Sequence, residues 1–364
     1  VKVHVVRPGD LGDAELDRWR ALQRAAPTAA NPLLAPEFTL ALGRHRDDVR
    51  VAVIEDATGV AGFFPYERRP LGVGRPAGMG LTDFQGMVYA PGLDLDARDL
   101  LRPCRVQVWR FDRVPADQRP FAAHAARLIP SAYMDLGEGF DAYLAGLRGR
   151  SPAFYRTAMY KRRKLARDHG ELTFTWAATD HEALRRLMAW KSDQYRRTGR
   201  FDRFAQPWIT GLVEDLHASG LTVVTTLYAG GRPVAGDVAL RLGNTVVGWF
   251  PAYDPGFSRY SPGMLHHLRM AEAAAAAGVR HVEMGVIGGK RYKDWLKNGE
   301  RLVAEGRVAR SSLSAGLHWV GSAPAHRVRD LVLANPGLYR RADRVLKTYG
   351  RLRTTVAARR TGFG

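Results

Sequence analysis

Cys104 is the single cysteine in 364 residues, and that scarcity removes two classes of protein at once. One thiol supports neither a disulfide framework nor a thiolate metal site. With no His/Asn constellation legible around it, Cys104 reads as a small buried hydrophobe. Long apolar runs are missing too. The longest candidate is the Ala273–Ala277 tract, far short of the ~18 residues a membrane span needs, and no charged-then-apolar leader opens the sequence. The expected place is the cytoplasm, with no membrane span. His266 and His267 are adjacent among eleven histidines, but neighbours on a helix point about 100° apart and cannot both ligate one metal. No metal is expected. Acidic residues are few, 36 against 55 Lys and Arg, leaving a net charge of +19.

Hydrophobic residues make up 46% of the chain and aromatics 10%, enough for a globular core. The length predicts about two domains at roughly 150 residues each. Two segments carry most of the excess charge. Arg148, Arg150, Arg156, Lys161, Arg162, Arg163, Lys164 and Arg167 come with no acid among them, and residues 307–364 hold twelve basic residues against Asp330 and Asp343. Such runs are solvated faces or sites for a polyanion, either RNA or the phosphates of a nucleotide cofactor.

Along the chain the pattern predicts a helix over 12–25, a short helix over 37–43, and a hairpin of VRVAVIED and VAGFFPYERR around the turn ATG. The loop LGVGRPAGMGLTDFQG follows. Its Gly72-x-Gly74-x-x-Ala77 is a formal dinucleotide fingerprint, rejected because Pro76 lies where the helix would start and Pro70 interrupts the strand. Strands are predicted over 105–111 and 131–136. Ser151-Pro152 opens a helix carrying the first basic cluster. Further helices cover 182–197 and Pro207 to about His217, and residues 221–250 supply three antiparallel strands. The triplet Val-Ala-Gly recurs at Val60 and Val234 in the same hairpin setting, which points to internal duplication.

Residues 245–295 say most about chemistry. TVVGWF is a strand, PAYDPGFSRYSPG a loop, a helix runs from about Met264 to Ala277, and VRHVEMG leads into GGKRYKDWLKNGE. A strand that opens through a Gly/Pro loop into a helix aims unpartnered N–H groups at the mouth, a setting for an anion or an acyl carbonyl.

The stretch VAGDVALRLGNTVVGWFPAYDPGFSRYSPG through YKDWLKNGE resembles the GNAT acyltransferase superfamily, specifically its CelD-like branch, and is more remotely similar to the Fem family of aminoacyl-tRNA-dependent transferases. Asn31-Pro32 through Phe38 and Thr82-Asp83-Phe84-Gln85-Gly86 extend the likeness over roughly residues 30 to 310. It implies an α/β (α+β) fold of tandem GNAT-like domains, each a mixed, largely antiparallel sheet flanked by helices. The divisions are 1–145, 150–310 as the catalytic half, and a basic helical tail over 311–364. It also implies acyl transfer to an amine, less often a hydroxyl.

Within that resemblance, Tyr253 is the expected proton donor to the leaving group. Asp237 and Glu283 are candidates to orient the amine or take its proton, with cross-strand ion pairs as the alternative. Lys293 suits a phosphate or developing charge. Arg259, Ser261, Gly263, Met264 and Tyr292 are expected at the donor cofactor, and Asp83, Gln85 and Trp249 at the acceptor. The GNAT pyrophosphate loop usually reads Arg/Gln-x-x-Gly-x-Gly/Ala. Here Arg259-Tyr260-Ser261-Pro262-Gly263-Met264 puts proline at the first glycine and removes an N–H from the cradle. The Fem loop is likewise degenerate. The expected donor is acyl-CoA (acetyl-CoA), the alternative aminoacyl-tRNA held by Arg156, Lys161, Arg162, Arg163 and Lys164. The acceptor is a small-molecule or cell-envelope amine. A third alternative is a non-catalytic protein that binds RNA or another anionic polymer.

Overall fold

The computed structural model describes residues 1–26, 29–287 and 291–310. The first half runs β1 (Lys2–Val6), α1 (Asp13–Ala25), α2 (Pro36–His45), β2 (Val49–Asp56), β3 (Gly59–Arg69), β4 (Val73–Pro76), β5 (Val88–Tyr89), α3 (Ala97–Leu101), β6 (Val108–Pro115), α4 (Arg119–Ala122) and β7 (Ala125–Asp135). Two helices follow, α5 (Phe140–Arg150) and α6 (Pro152–His169). The second half runs β8 (Leu172–Ala178), α7 (His181–Arg197), α8 (Pro207–Ala218), β9 (Thr222–Ala229), β10 (Arg232–Leu242), β11 (Thr245–Val247), β12 (Ala252–Tyr253), α9 (Pro262–Ala276), β13 (His281–Val286), α10 (Arg291–Leu296) and β14 (Gly299–Ala309).

All of these strands join one sheet in the order β1-β2-β3-β4-β6-β14-β7-β13-β11-β10-β9-β8, with β5 on β3 and β12 on β10. Read from either edge the order is the same: each half contributes an edge strand, a hairpin, a short strand and a parallel neighbour. The internal repeat hinted at by the two Val-Ala-Gly triplets is therefore a repeat of topology. Gly62 of β3 faces Tyr89, and Gly236 of β10 faces Ala252. The last strand of each half has crossed over: β14 pairs with β6 and β7, and β7 pairs with β13.

Helix α1 shows why these segments fold as they do. Asp13 and Glu15 occupy its first turn, Glu15 accepts from the Gly12 N–H at 2.8 Å, and Trp19 and Leu22 are buried on one face. Negative charge at a helix start offsets the positive end of its dipole. Trp19 stacks on Phe63 with ring centroids 4.7 Å apart.

One face of the sheet carries a continuous core fed by α1 and α2 of the first half and α7 and α8 of the second, including Trp19, Phe38, Leu42, Leu187 and Leu212. The opposite face carries separate cores, one around Trp109 and Phe121 and another around Leu268, Met270 and Ala274 of α9. A shared core and exchanged strands bind the halves into one unit.

Several sequence expectations shift. The strand expected from Arg105 begins at Val108, because Arg105 takes φ 53, a left-handed turn. The long loop after β3 holds β4 and β5, and Gly72–Ala77 crosses from a turn into β4 rather than opening a helix, in keeping with the rejected fingerprint. The third strand of the second half leaves the ladder after Val247. Cys104 is buried, and that burial pushes its thiol up to about 12. Gly288-Gly289 and the expected tail over 311–364 lie outside the described residues.

Candidate active site

Strand β11 runs parallel to β13 through the Val247–Glu283 pair and ends there. Gly248 makes the last bond, its N–H donating to the Glu283 carbonyl at 3.0 Å. The chain then swings to β12, which pairs only with β10, while β13 continues beside β7. The ladder is interrupted between β12 and β13, and the buried Asp237 carboxylate lies at the break, 3.1 Å from where a Cβ on Gly248 would sit.

In the first half the corresponding gap, between β5 and β6, is filled. Gln85 donates to Asp112 Oδ1 at 2.8 Å and accepts from the Arg113 N–H at 3.2 Å, while Gln118 exchanges two 3.0 Å bonds with the Met87 backbone. The helix beside that gap, α3, is five residues long and capped by Asp96. Beside the second gap stands α9, fifteen residues long, with no side-chain cap. The duplicated fold thus sets a short capped helix beside the filled break and a long uncapped one beside the other.

The start of α9 is unusual. Ser261 adopts φ 53, ψ 52, a left-handed conformation for a residue with a Cβ, and Pro262 opens the helix. Such a conformation costs about 1–2 kcal/mol outside glycine. Met264 and Leu265 both donate to the Ser261 carbonyl, at 3.0 and 3.4 Å. Pro262 has no N–H, so the Gly263 N–H remains without a partner among the described residues. The expectation that Met264 contributes an N–H is corrected: that donor is already spent. Tyr253 does meet Gly263, for a Cβ built on Gly263 would lie 3.9 Å from the Tyr253 ring.

The two carboxylates occupy opposite faces. Asp237 shares the parity of Ala239, which packs in the α9 core, and its partner across the ladder, Thr225, bonds His266 of α9 at 2.8 Å. Glu283 lies between Val282 and Met284 of that same core and so points to the other side. Asp237 is fully buried. Its Oδ1 accepts from the Phe250 N–H at 2.9 Å, and its Oδ2 has no hydrogen-bond partner. Burial, only partly offset by the Lys191 charge, pushes it up to about 7. Glu283 is also buried and is likewise pushed up to about 7, with Arg301 at 2.6 Å pulling the other way.

Tyr292 stacks on His267 at 5.2 Å. Burial, with the charges of Asp237 and Asp83 close by, holds its phenol protonated to about 12. Expected at the cofactor, Tyr292 thus lies within the influence of two carboxylates, one from each half. Lys293 is buried and donates to the Val286 carbonyl at 2.7 Å, fastening α10 to the end of β13.

The acceptor-side expectations gather on the Glu283 face. Trp249 donates to the Leu81 carbonyl at 2.8 Å, Asp83 pairs with Arg113 at 2.9 Å, and Arg301 lies over the Tyr133 ring at 4.9 Å. Gln85 is the plug of the first gap rather than a free ligand group. The basic helix is joined to the loop before α9: Lys161 donates to the Arg259 carbonyl, and Tyr260, bonded by Arg259, donates to Asp168 at 2.9 Å. Arg156, Arg162 and Arg163 are exposed along α6, while Lys164 is part-buried. Sequence reasoning missed Gly248, Gly285, Arg113 and Arg301. A glycine inside a strand marks a bulge or a close backbone approach, and that signal was available for the first two.

Residues 153–294 match the acetyltransferase (GNAT) domain family. The GNAT match covers the uncapped helix and both carboxylates, and the fold as a whole is a mixed α/β one, a single large mixed sheet of two repeated halves flanked by helices. The crystal structure of FemX superposes with a TM-score of 0.59 at 11% identity, over 88% of this chain and 99% of that one. The C-terminal domain (DUF2156) of an Agrobacterium fabrum protein described as a lysylphosphatidylglycerol synthetase gives 0.53 at 12% identity, over 86% and 96%. At these identities the likeness is one of fold. No curated protein sequence matches the chain. Among the described residues no group of three or more His, Cys, Asp or Glu is placed to hold a metal, and no helix is long and apolar enough to cross a membrane.

Proposed function

We propose that the protein is an N-acyltransferase in which a donor seated on the α9 face meets an amine on the opposite face through the gap at Gly248. The observation that carries this reading is the asymmetry of the duplicated fold: one break is filled by Gln85 and Gln118 beside a short capped helix, the other lies beside the long uncapped helix α9 and its Gly263 N–H. The domain division near residues 145–150 belongs to the same reading, as does a likeness to the CelD-like branch.

The chemistry follows from the two faces. Glu283, ionised above about pH 7, takes a proton from the acceptor ammonium or from the attacking amine. The amine nitrogen bonds to the acyl carbon, and the bond from that carbon to the donor's leaving atom breaks. A phenol, Tyr292 or Tyr253, supplies the proton the leaving atom takes. Tyr292 is the better placed, since burial keeps it protonated beside the carboxylates. The Gly263 N–H is the donor available to a carbonyl or phosphate oxygen. Asp237 shapes the field around Tyr292, and Lys293 holds the end of β13 in place.

Acyl-CoA is the leading donor, in keeping with the GNAT family match. A specific observation favours the second donor, aminoacyl-tRNA: one N–H makes a poor pyrophosphate cradle, and the basic helix α6 is tied to the donor loop through Lys161. The likeness to FemX is compatible with it. The deciding experiment offers purified protein acetyl-CoA and charged tRNA separately with a panel of amines and follows amide formation by mass spectrometry. Product with neither donor rejects the enzymatic reading in favour of a polymer-binding protein.

A further inference from the structure

Helices α6 and α9 pack against each other and against β9, yet together they line a cleft of about 550 Å³. From α6 come Met159, Arg162, Arg163 and Ala166; from α9 come Leu265, Leu268, Arg269 and Glu272. Both sets follow the i, i+3, i+4, i+7 spacing of a single helical stripe. A stripe turned toward a neighbouring helix is ordinarily apolar along its length. Here three arginines interrupt the two. Leu172 of β8, Leu227 of β9, and Phe140 and Leu144 of α5 complete the apolar lining.

Mostly apolar walls with a few charged groups are the make-up of a small-molecule site. The charges favour an anion. Arg269 donates from Nη1 to Glu272 at 2.6 Å, while its Nε is buried with no hydrogen-bond partner. Buried polar groups are almost always paired, so that N–H calls for an acceptor. On α6 no carboxylate precedes Asp168, which is engaged by Tyr260 and Arg167. Of the other acids lining the cleft, Asp141 stands in the first turn of α5, where it offsets the helix dipole, and Glu171 is exposed.

We propose that the cleft binds a single aliphatic amphiphile with an oxyanion head, its chain against the leucines and its head on Arg162, Arg163 and Arg269. This site is separate from the proposed transfer site. Gly263, beside Tyr253, and His267, stacked on Tyr292, each lie two residues from Leu265 and so project about 160° away from it around α9. One helix thus serves two sites on different faces.

The test is calorimetric titration of the full chain with octanoate and octyl phosphate below their micelle concentrations, with octylamine as the cationic counterpart. Wild-type protein is expected to bind an anionic chain saturably at one site and octylamine at least about tenfold more weakly. Affinity should rise about fourfold per methylene from hexanoate to decanoate. Met159→Trp, which fills the cleft, is expected to abolish binding. Arg269→Leu, which keeps the apolar lining, is expected to erase the preference for octanoate over octylamine, and it decides the matter should Met159→Trp fail to fold. Gly263→Val is expected to bind octanoate as wild type does; loss there would put the chain in the donor site and overturn the separate one. Binding of neither anionic chain, octylamine bound as tightly as octanoate, affinity independent of chain length, or unchanged binding in a folded Met159→Trp also overturns it. So does binding to phosphatidylglycerol vesicles without binding to monomeric chains, which would identify a lipid surface instead.

Discussion

The Asp83 carboxylate occupies the space a side chain on Gly285 would need: a Cβ there would lie 2.2 Å from Asp83 Oδ2. Asp83 comes from the first half and Gly285 from the second, at the bulge where β13 shifts register against β7. Gly285 also takes φ +75, which favours glycine. Gly285→Ala is expected to lose about 1–2 kcal/mol to backbone strain, measured by denaturant unfolding, and to lower transfer by displacing Asp83 from Arg113. Adding Asp83→Ala relieves the clash but not the strain. A double variant restored to full stability would contradict this division.

On the proposed mechanism, Glu283 is expected to govern the pH dependence of transfer. Burial raises it to about 7, so its ionised fraction grows tenfold per pH unit below that value and levels off above it. Transfer with saturating donor is expected to follow that limb. Arg301→Leu removes the charge that favours the ionised form and should move the limb to higher pH. Glu283→Gln is expected to lower kcat by about 10²–10⁴-fold. An unchanged profile in Glu283→Gln would assign the proton to another group.

Asp237 affects stability in the opposite sense to a salt-bridged carboxylate. Unfolded, it ionises near 3.8; folded, near 7. Below about pH 4 the group costs nothing, between pH 4 and 7 stability falls as the unfolded chain releases a proton the folded one keeps, and above 7 the cost is constant. Glu283 adds to the same trend. Asp237→Asn is therefore expected to be more stable than wild type at pH 8 by roughly 2–4 kcal/mol and no different at pH 3.5. Equal stability at both pH values would mean that Asp237 is not titrating as its burial requires.

At the start of α9, the proposed donor site, Gly263→Val places a branched side chain against Tyr253 and beside the Gly263 N–H. Turnover should vanish while the circular dichroism spectrum is retained. Ser261→Gly relieves a left-handed φ and should stabilise the protein by about 1 kcal/mol. Neutralising Arg162 and Arg163 should weaken a tRNA donor steeply, with a reduced salt slope, and leave acyl-CoA use nearly unchanged. Equal losses with both donors would make α6 a surface face only.

Much of this was legible in the residues. The hairpins, the helix after Pro262 and the buried carboxylates on strands follow from periodicity, from Gly and Pro punctuation, and from charges placed where alternation expects apolar residues. What could not be read is what depends on distant pairing. The exchange of β7 and β14 is set by register across more than 160 residues, and the first break is filled by Gln85 on Asp112 and by Gln118 on the Met87 backbone, pairs far apart in sequence. Met264 looked like a donor because a helix start has free N–H groups; the left-handed turn at Ser261 claimed it. The opposed faces of Asp237 and Glu283 required both strands to be placed before their parities could be compared.

Calorimetric titration of coenzyme A into wild-type protein and into Gly263→Val, with charged tRNA as the parallel ligand, tests the central claim most directly. The account predicts a single saturable site for one of the two donors, abolished by Gly263→Val and kept in Glu283→Gln. Binding of neither ligand, or identical binding by wild type and Gly263→Val, would contradict it.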